Sequence, residues 1–233
     1  MGWYEYYRLF IDWRKYNKLG GKALLSDFYP CLSDKTTVTP FDPQYFYQAA
    51  WAINRINYNK PELHVDVGSD VKYVGMLSGI CKVEFVDIRP LQVNLPNLLS
   101  KEGSILALPY EDNSVRSISV LHVIEHIGLG RYGDPIDTKG TEKACVELER
   151  VLAVNGSLYL SVPIGLARVQ FNGQRVLSIS ELITFLPMLS LVEMSVVDNF
   201  GNYQDRVNPQ EVIYDEKARS DFALGCFIFT KNR

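Results

Sequence analysis

The chain contains no C-x-x-C pair. Its four cysteines, Cys31, Cys81, Cys145 and Cys226, lie far apart. This argues against a structural zinc site built from paired thiolates. They read as reduced, mostly buried thiols of a reducing compartment. No apolar run reaches the roughly 18 residues of a membrane-spanning helix. Met1 to Arg14 lacks the apolar core of a signal peptide, so the expected location is cytoplasmic. Positive charge is also scarce. Lys and Arg number 24 against 27 Asp and Glu, a formal net charge of -3. That balance argues against a broad phosphate-binding face, and nucleic acid is not an expected partner. Internal repeats and low-complexity tracts are absent.

What is present is a chain of 233 residues, 47% of them apolar. It is long enough for one substantial core and short for two full domains. Residues 1–60 read as an N-terminal helical cover, part of the same domain as residues 61–233. A first helix runs to Gly20-Gly21, and a second, capped by Asp42 with Pro43 at its first position, runs to about Asn57. The Trp3, Tyr4, Tyr6, Tyr7, Phe10, Trp13 stretch reads as packing or homo-oligomer contact more simply than as a membrane surface.

From residue 62 short apolar runs alternate with helical segments. Strands are expected at 63–67, 83–87, 104–106, 115–121, 157–162, 191–197 and 223–229. Helices are expected at 71–79, at 139–153 with Asn155-Gly156 closing it, and from Ser178 or Ser180 to Leu186. This order predicts an α/β, Rossmann-like, doubly wound sheet that is mostly parallel. Ligands of such sheets bind beyond the carboxyl ends of the strands. The residues that matter most are therefore Asp66, Gly68 and Ser69, then Asp87, then the segment after Leu106, then His122 to His126.

Gly68 lets backbone approach a ligand without a Cβ in the way. Asp87, about 20 residues further on, can accept two hydrogen bonds from a ribose diol. A dinucleotide would call for G-x-G-x-x-G. Here Asp70 follows and would repel a pyrophosphate. S-adenosylmethionine, which has no phosphate and carries positive charge, suits this turn better.

The run Asp66-Val67-Gly68, then Asp87, then Leu108-Pro109-Tyr110-Glu111-Asp112-Asn113-Ser114, then Leu121-His122-Val123-Ile124-Glu125-His126, then Glu149-Arg150-Val151-Leu152 with Asn155-Gly156-Ser157-Leu158, resembles class I S-adenosylmethionine-dependent methyltransferases. More narrowly, HVIEHIGLGRYGDP (122–135) and Phe171-Asn172-Gly173-Gln174-Arg175 resemble a methyltransferase-like domain-of-unknown-function family found in polysaccharide-biosynthesis gene clusters. The resemblance implies about seven strands and S-adenosylmethionine bound by Asp66, Gly68, Ser69, Asp87 and Leu108. It also implies methyl transfer to a hydroxyl of a small-molecule, sugar or glycan substrate.

His122-Val123-Ile124-Glu125-His126 admits several readings. H-x-x-E-H on a helix is the pattern of an inverted zinc peptidase. In some O-methyltransferases the same window reads E-x-x-E-H and holds a divalent metal. His122, Glu125 and His126 would then be ligands that lower a substrate hydroxyl's pKa. Without metal, His126 or His122 could be the general base, oriented by Glu125. The plain alternative is that these side chains tie the helix to its following loop.

Gly128 to Pro135 is a shaped loop. Arg131 could grip a carboxylate or phosphate, Tyr132 could stack on a sugar, and Asp134 and Asp137 could accept sugar hydroxyls. Arg168 and the Phe171–Arg175 turn would complete the pocket. Asp70 and Lys72 stand where further glycines would be, and Ser104 where an acidic residue would meet adenine. Two alternatives follow: a methyltransferase-fold binding or assembly subunit without cofactor, and a metal-dependent sugar-modifying enzyme without S-adenosylmethionine.

Overall fold

The computed structural model describes residues 2–212 and 221–232. The chain divides into two compact units, 1–41 and 42–233. The smaller contains helix α1 (Trp3–Lys18), none of whose residues is buried. It is closed by Trp13 Nε1 and Asn17 Nδ2, which both donate to Ala23 O at 2.9 Å.

The larger unit begins with α2 (Pro43–Asn59). The Asp42 carboxylate accepts from the N–H groups of Gln44 and Tyr45, and Pro43 occupies the first turn, where no N–H is needed. This helix, grouped with the cover in the sequence reading, belongs to the unit that holds the sheet.

Strand β1 (Leu63–Val67) pairs in parallel with β2 (Lys82–Asp87) on one side and β4 (Val115–Leu121) on the other. Beyond β2 lies β3 (Leu98–Glu102), and beyond β4 lies β5 (Leu152–Ile164), both parallel. Strand β10 (Ala223–Lys231) runs antiparallel between β5 and β8 (Leu189–Val197), and the two-residue β9 (Tyr203–Gln204) closes the edge. The order is β3-β2-β1-β4-β5-β10-β8-β9. A separate hairpin joins β6 (Arg168–Gln170) to β7 (Gln174–Val176). The fold is thus α/β with a mostly parallel central sheet, as the strand–helix alternation predicts.

Alternate side chains of each strand face opposite cores. Val83 and Phe85 of β2 pack with Trp51 and Ile56 of α2 and Tyr73 and Leu77 of α3 (Val71–Leu77). Val86 joins the other core, with Leu148 and Val151 of α4 (Gly140–Val151) and Leu182 of α5 (Ile179–Phe185). This period of two, with a helix stripe on each face, makes the sheet doubly wound.

Three expectations are corrected. The third strand is Leu98–Glu102, not 104–106. Residues 104–107 form a turn instead, closed by Ala107 N donating to Ser104 O at 3.0 Å and Leu106 N to Ser104 Oγ at 3.2 Å. Helix α4 ends at Val151, and β5 follows with no loop. Asn155-Gly156 therefore does not close the helix. It forms a bulge inside the strand, where the register against β4 shifts between Val115 and Ser117, and Asn155 takes φ +60°. The four cysteines are unpaired, but only Cys145 and Cys226 are buried. No helix among the described residues is long and apolar enough to cross a membrane.

Candidate functional site at the carboxyl ends of strands β1, β2 and β4

The chain lays β2 and β3 on one side of β1 and returns to place β4 on the other. Connections leaving β1 and β4 diverge, and a crevice opens above their carboxyl ends. Two cavities meet there, of about 350 and 420 Å³, and share Gly68, Asp87, Arg89, His122 and Tyr132.

Gly68 takes φ +68°, and a Cβ there would lie 3.3 Å from Val123 and 3.6 Å from Asp87 Oδ2. A side chain at this position would intrude on the crevice floor. Asp87 ends β2 and lines both cavities. Its Oδ1 accepts from Arg89 N at 2.7 Å, which fixes the carboxylate. Ile88, Ile105 and Leu106 give the smaller cavity an apolar wall, and Ser104 stands beside them.

Asp66 is differently placed. It is fully buried, and accepts from Ser69 N at 3.1 Å, Ser69 Oγ at 2.7 Å and Ser119 Oγ. Burial pushes its carboxyl up to about 7. Its role is to hold the turn that carries Gly68 and Ser69, and it lines neither cavity. Ser69 in turn donates nothing outward: its N and Oγ serve Asp66, and its Oγ accepts from Leu121 N at 3.0 Å. Beneath lies His64, also fully buried, with Nδ1 and Nε2 2.7 and 2.8 Å from Ser117 Oγ and Ser119 Oγ. Asp70 is the N-cap of α3, accepting from Lys72 N and Tyr73 N. Leu108, expected at the cofactor, is a core residue 4% exposed. Its backbone is held by Glu147 and Arg150, so it lies outside both cavities.

On the other side of the crevice β4 ends in His122, whose φ of +58° turns the chain sharply. A short 3₁₀ turn, Ile124–His126, follows. His122 Nδ1 lies 2.6 Å from Glu125 Oε1. The carboxylate oxygen accepts, so Nδ1 donates, and in the neutral ring Nε2 is the nitrogen with the free lone pair. His122 Nε2 and Glu125 Oε2 are buried without a protein partner. The imidazole stacks on Tyr45 of α2, centroids 5.2 Å apart and planes 22° apart.

His126 Nδ1 lies 2.7 Å from Gly173 O in the β6–β7 turn. A carbonyl only accepts, so this nitrogen is also the protonated one. His126 Nε2 is 3.7 Å from Glu125 Oε1, beyond hydrogen-bond range. The three residues therefore share one carboxylate and do not converge on a point. Among the described residues no group of three His, Cys, Asp or Glu is arranged to hold an ion. The expected metal set is therefore not assembled, although His122 Nε2 and Glu125 Oε2 have no protein partner. The peptidase pattern is also absent, since the window is a 3₁₀ turn and not an α-helix.

The loop 128–137 is held mainly by its own residues. Asp134 Oδ2 accepts from Gly128 N at 2.6 Å, and Oδ1 from Tyr132 N at 3.2 Å. Burial opposes its ionisation, but these N–H donors outweigh it and hold the carboxyl below its ordinary range. Asp137 accepts from Lys143 Nζ at 2.6 Å, which lowers its carboxyl too, and lines neither cavity. Gly128 is required: a Cβ would lie 2.1 Å from Asp137 O. Arg175 of β7 clamps the loop, donating to Ile127 O at 2.5 Å, Asp137 O at 3.0 Å and Thr141 Oγ1 at 3.2 Å. Arg168 donates to Leu166 O and Asp221 O, away from the crevice. Tyr132 lines both cavities, with Arg89 and Arg131 over its ring at 4.9 and 5.2 Å and His126 against it.

Sequence reasoning missed Tyr45 and Arg89. The Asp42-Pro43 cap already places Tyr45 in the first turn of α2, and Arg89 follows Asp87 by two residues. In neither case does a local pattern show that Tyr45 stacks on His122 or that Arg89 lies over Tyr132.

A family model described as Caenorhabditis protein of unknown function, DUF268, matches residues 109–207. It spans His122 to Asp137 and the β6–β7 hairpin. No curated protein matches the chain in sequence. Among solved structures, the [4+2]-cyclase SpnF is similar at 13% identity over 80% of this chain and 81% of that one, TM-score 0.57. The 1,6-didemethyltoxoflavin-N1-methyltransferase of Burkholderia thailandensis, solved with 1,6-didemethyltoxoflavin and S-adenosylhomocysteine, is 12% identical over 80% and 79%, TM-score 0.55. The N-methyltransferase NodS of Bradyrhizobium japonicum WM9, solved with S-adenosylhomocysteine, is 14% identical over 81% and 88%, TM-score 0.51. The chain therefore has the α/β fold of the class I S-adenosylmethionine-dependent methyltransferases.

Proposed function

We propose that the protein is an S-adenosylmethionine-dependent O-methyltransferase in which His122 is the general base. The observation that carries this is the His122–Glu125 pair. It leaves one imidazole nitrogen, Nε2, buried and unpartnered, on a residue that lines both cavities. Fold supports the cofactor class. The residues fit it: Asp87 offers a carboxylate to a ribose diol, Gly68 opens the floor, and Ile88, Ile105 and Leu106 would flank an adenine. Asp70 is no obstacle, because capping α3 accounts for it and the cofactor has no phosphate. When bound, S-adenosylmethionine supplies an electrophilic methyl on a sulfonium.

The chain's own work is proton handling and positioning. His122 Nε2 takes the proton from the acceptor hydroxyl as its oxygen attacks. Glu125 fixes the tautomer and stabilises the imidazolium that forms. Tyr45 covers one face of the ring and restricts water. Asp87 and the crevice walls hold the reactants in line. Assignment of the acceptor to a sugar or glycan intermediate rests on the resemblance of HVIEHIGLGRYGDP and FNGQR. SpnF, a cyclase on a similar fold, shows why fold alone does not decide the reaction.

The test is transfer of labelled methyl from S-adenosylmethionine to sugar acceptors. Activity should fall about 10³-fold in His122→Gln, within the range of a lost general base. Equal transfer by that variant would overturn the assignment of the base.

A further inference from the structure

We infer that Arg89 and Arg131, set around Tyr132 at the crevice mouth, form a site for a phosphate monoester carried by the acceptor. The inference rests on the methyltransferase reading for the word acceptor, and on side-chain geometry for the rest. Both guanidiniums lie over one ring, at 4.9 and 5.2 Å from its centroid. Two like charges drawn to one ring repel, and an anion that meets both relieves the repulsion. Neither charge is well met within the protein. Arg131 forms no ion pair among the described residues. Its Nη1 donates to Gly173 O at 3.1 Å, which anchors it without neutralising it. Arg89 reaches only Asp87, at 3.8 Å, and that carboxylate is engaged by the Arg89 N–H. The chain as a whole is negatively charged, so this local positive pair is not part of a general basic surface.

The number of arginines indicates the anion. A carboxylate has one charge and two oxygens, and a single guanidinium fork satisfies it. A phosphate monoester carries about -1.5 to -2 charge and three acceptor oxygens, which suits two guanidiniums. Tyr132 is the shared wall. It lines both cavities, as Arg89 does, so a phosphate held there belongs to a molecule whose remainder enters the crevice toward His122. This also revises the expected role of Tyr132: its ring is already faced by cations, and it serves as their platform.

The experiment is calorimetric titration of glucose 1-phosphate, glucuronate and glucose into the protein, with and without S-adenosylhomocysteine, for wild type and Arg131→Gln. Arg131 is exposed and lines neither cavity, so the variant should keep its unfolding temperature and its affinity for S-adenosylhomocysteine. Glucose 1-phosphate should bind at least tenfold more tightly than glucuronate or glucose, and Arg131→Gln should lose at least tenfold of that affinity. Equal binding of glucose 1-phosphate and glucose, or an unchanged affinity in Arg131→Gln, overturns the site. Glucuronate binding as tightly as the phosphate overturns the choice of anion. Failure of S-adenosylhomocysteine to bind wild type sinks the methyltransferase reading alone, because the arginine dependence is read without it.

Discussion

The two walls of the crevice use polar residues in opposite ways. On the β1–β2 wall Asp66 and His64 are buried, and Ser69 and Asp70, which line the larger cavity, engage their side chains with Asp66 and with backbone N–H groups, beside Gly68, Asp87 and apolar side chains. On the wall after β4, Asp134, Asp137 and Arg175 also bind the frame, yet His122 Nε2 and Glu125 Oε2 remain buried and unpaired. A buried polar atom without a partner is costly, and between the two walls such atoms are found on the second. On the proposed reading the first wall would hold a ligand by shape and one carboxylate, and the second would do the chemistry.

The sharpest way to break that contrast is at His122. His122→Gln should lower methyl transfer about 10³-fold, within the range of a lost general base, while binding of S-adenosylhomocysteine persists. A loss of cofactor binding instead would move His122 to the first wall's role. Next is the frame of the second wall. Arg175→Met removes the donors to Ile127 O and Asp137 O and should cost about 3 kcal/mol in urea unfolding, since it strands buried carbonyls. A cost near zero would mean that water replaces the guanidinium and the clamp is incidental.

Smaller effects sharpen the reading of the first wall. Asp70→Ala removes the α3 cap and should cost about 1 kcal/mol, with S-adenosylhomocysteine affinity unchanged. A tenfold affinity change would show that Asp70 faces the ligand. The last effect is one of slope. Burial raises Asp66 from an ordinary 3.8 to about 7, so the native state holds its proton longer, and stability falls as pH rises across that window. Burial lowers His64 from 6.5 to about 3, so the unfolded state holds more proton, and stability rises with pH between those values. The two slopes oppose each other from about pH 4 to 6.5. Asp66→Asn should leave only the rising one, visible as stability that increases with pH where wild type is nearly flat. A flat profile in the variant would contradict the burial account of His64.

Much of the frame was legible because it is periodic. Strands β1, β2 and β4 and helices α2 and α4 follow from apolar spacing and caps. What failed was register and contact. The third strand was placed on 104–106 because Ile105 and Leu106 are apolar, but Ser104 closes a turn there and Leu98–Glu102 pairs with β2. Asn155-Gly156 looked like a helix stop, and a bulged strand uses the same residues. In the site, Gly68, Asp87 and His122, at strand ends, and Tyr132, in the loop after β4, line the crevice. Asp66, Leu108 and Asp137 line neither cavity, because a sequence does not say whether a side chain faces outward or is consumed within the fold. Nor does it say that the carbonyl of Gly173, in the β6–β7 turn, accepts a hydrogen bond from His126.

The most direct test of the central claim is a calorimetric titration of S-adenosylhomocysteine into wild type and Asp87→Asn. The account predicts saturable binding to wild type and about tenfold weaker binding to the variant, the loss of one charge-assisted contact to the ribose. No binding to folded wild type at millimolar ligand would contradict it and leave the fold without the chemistry assigned to it.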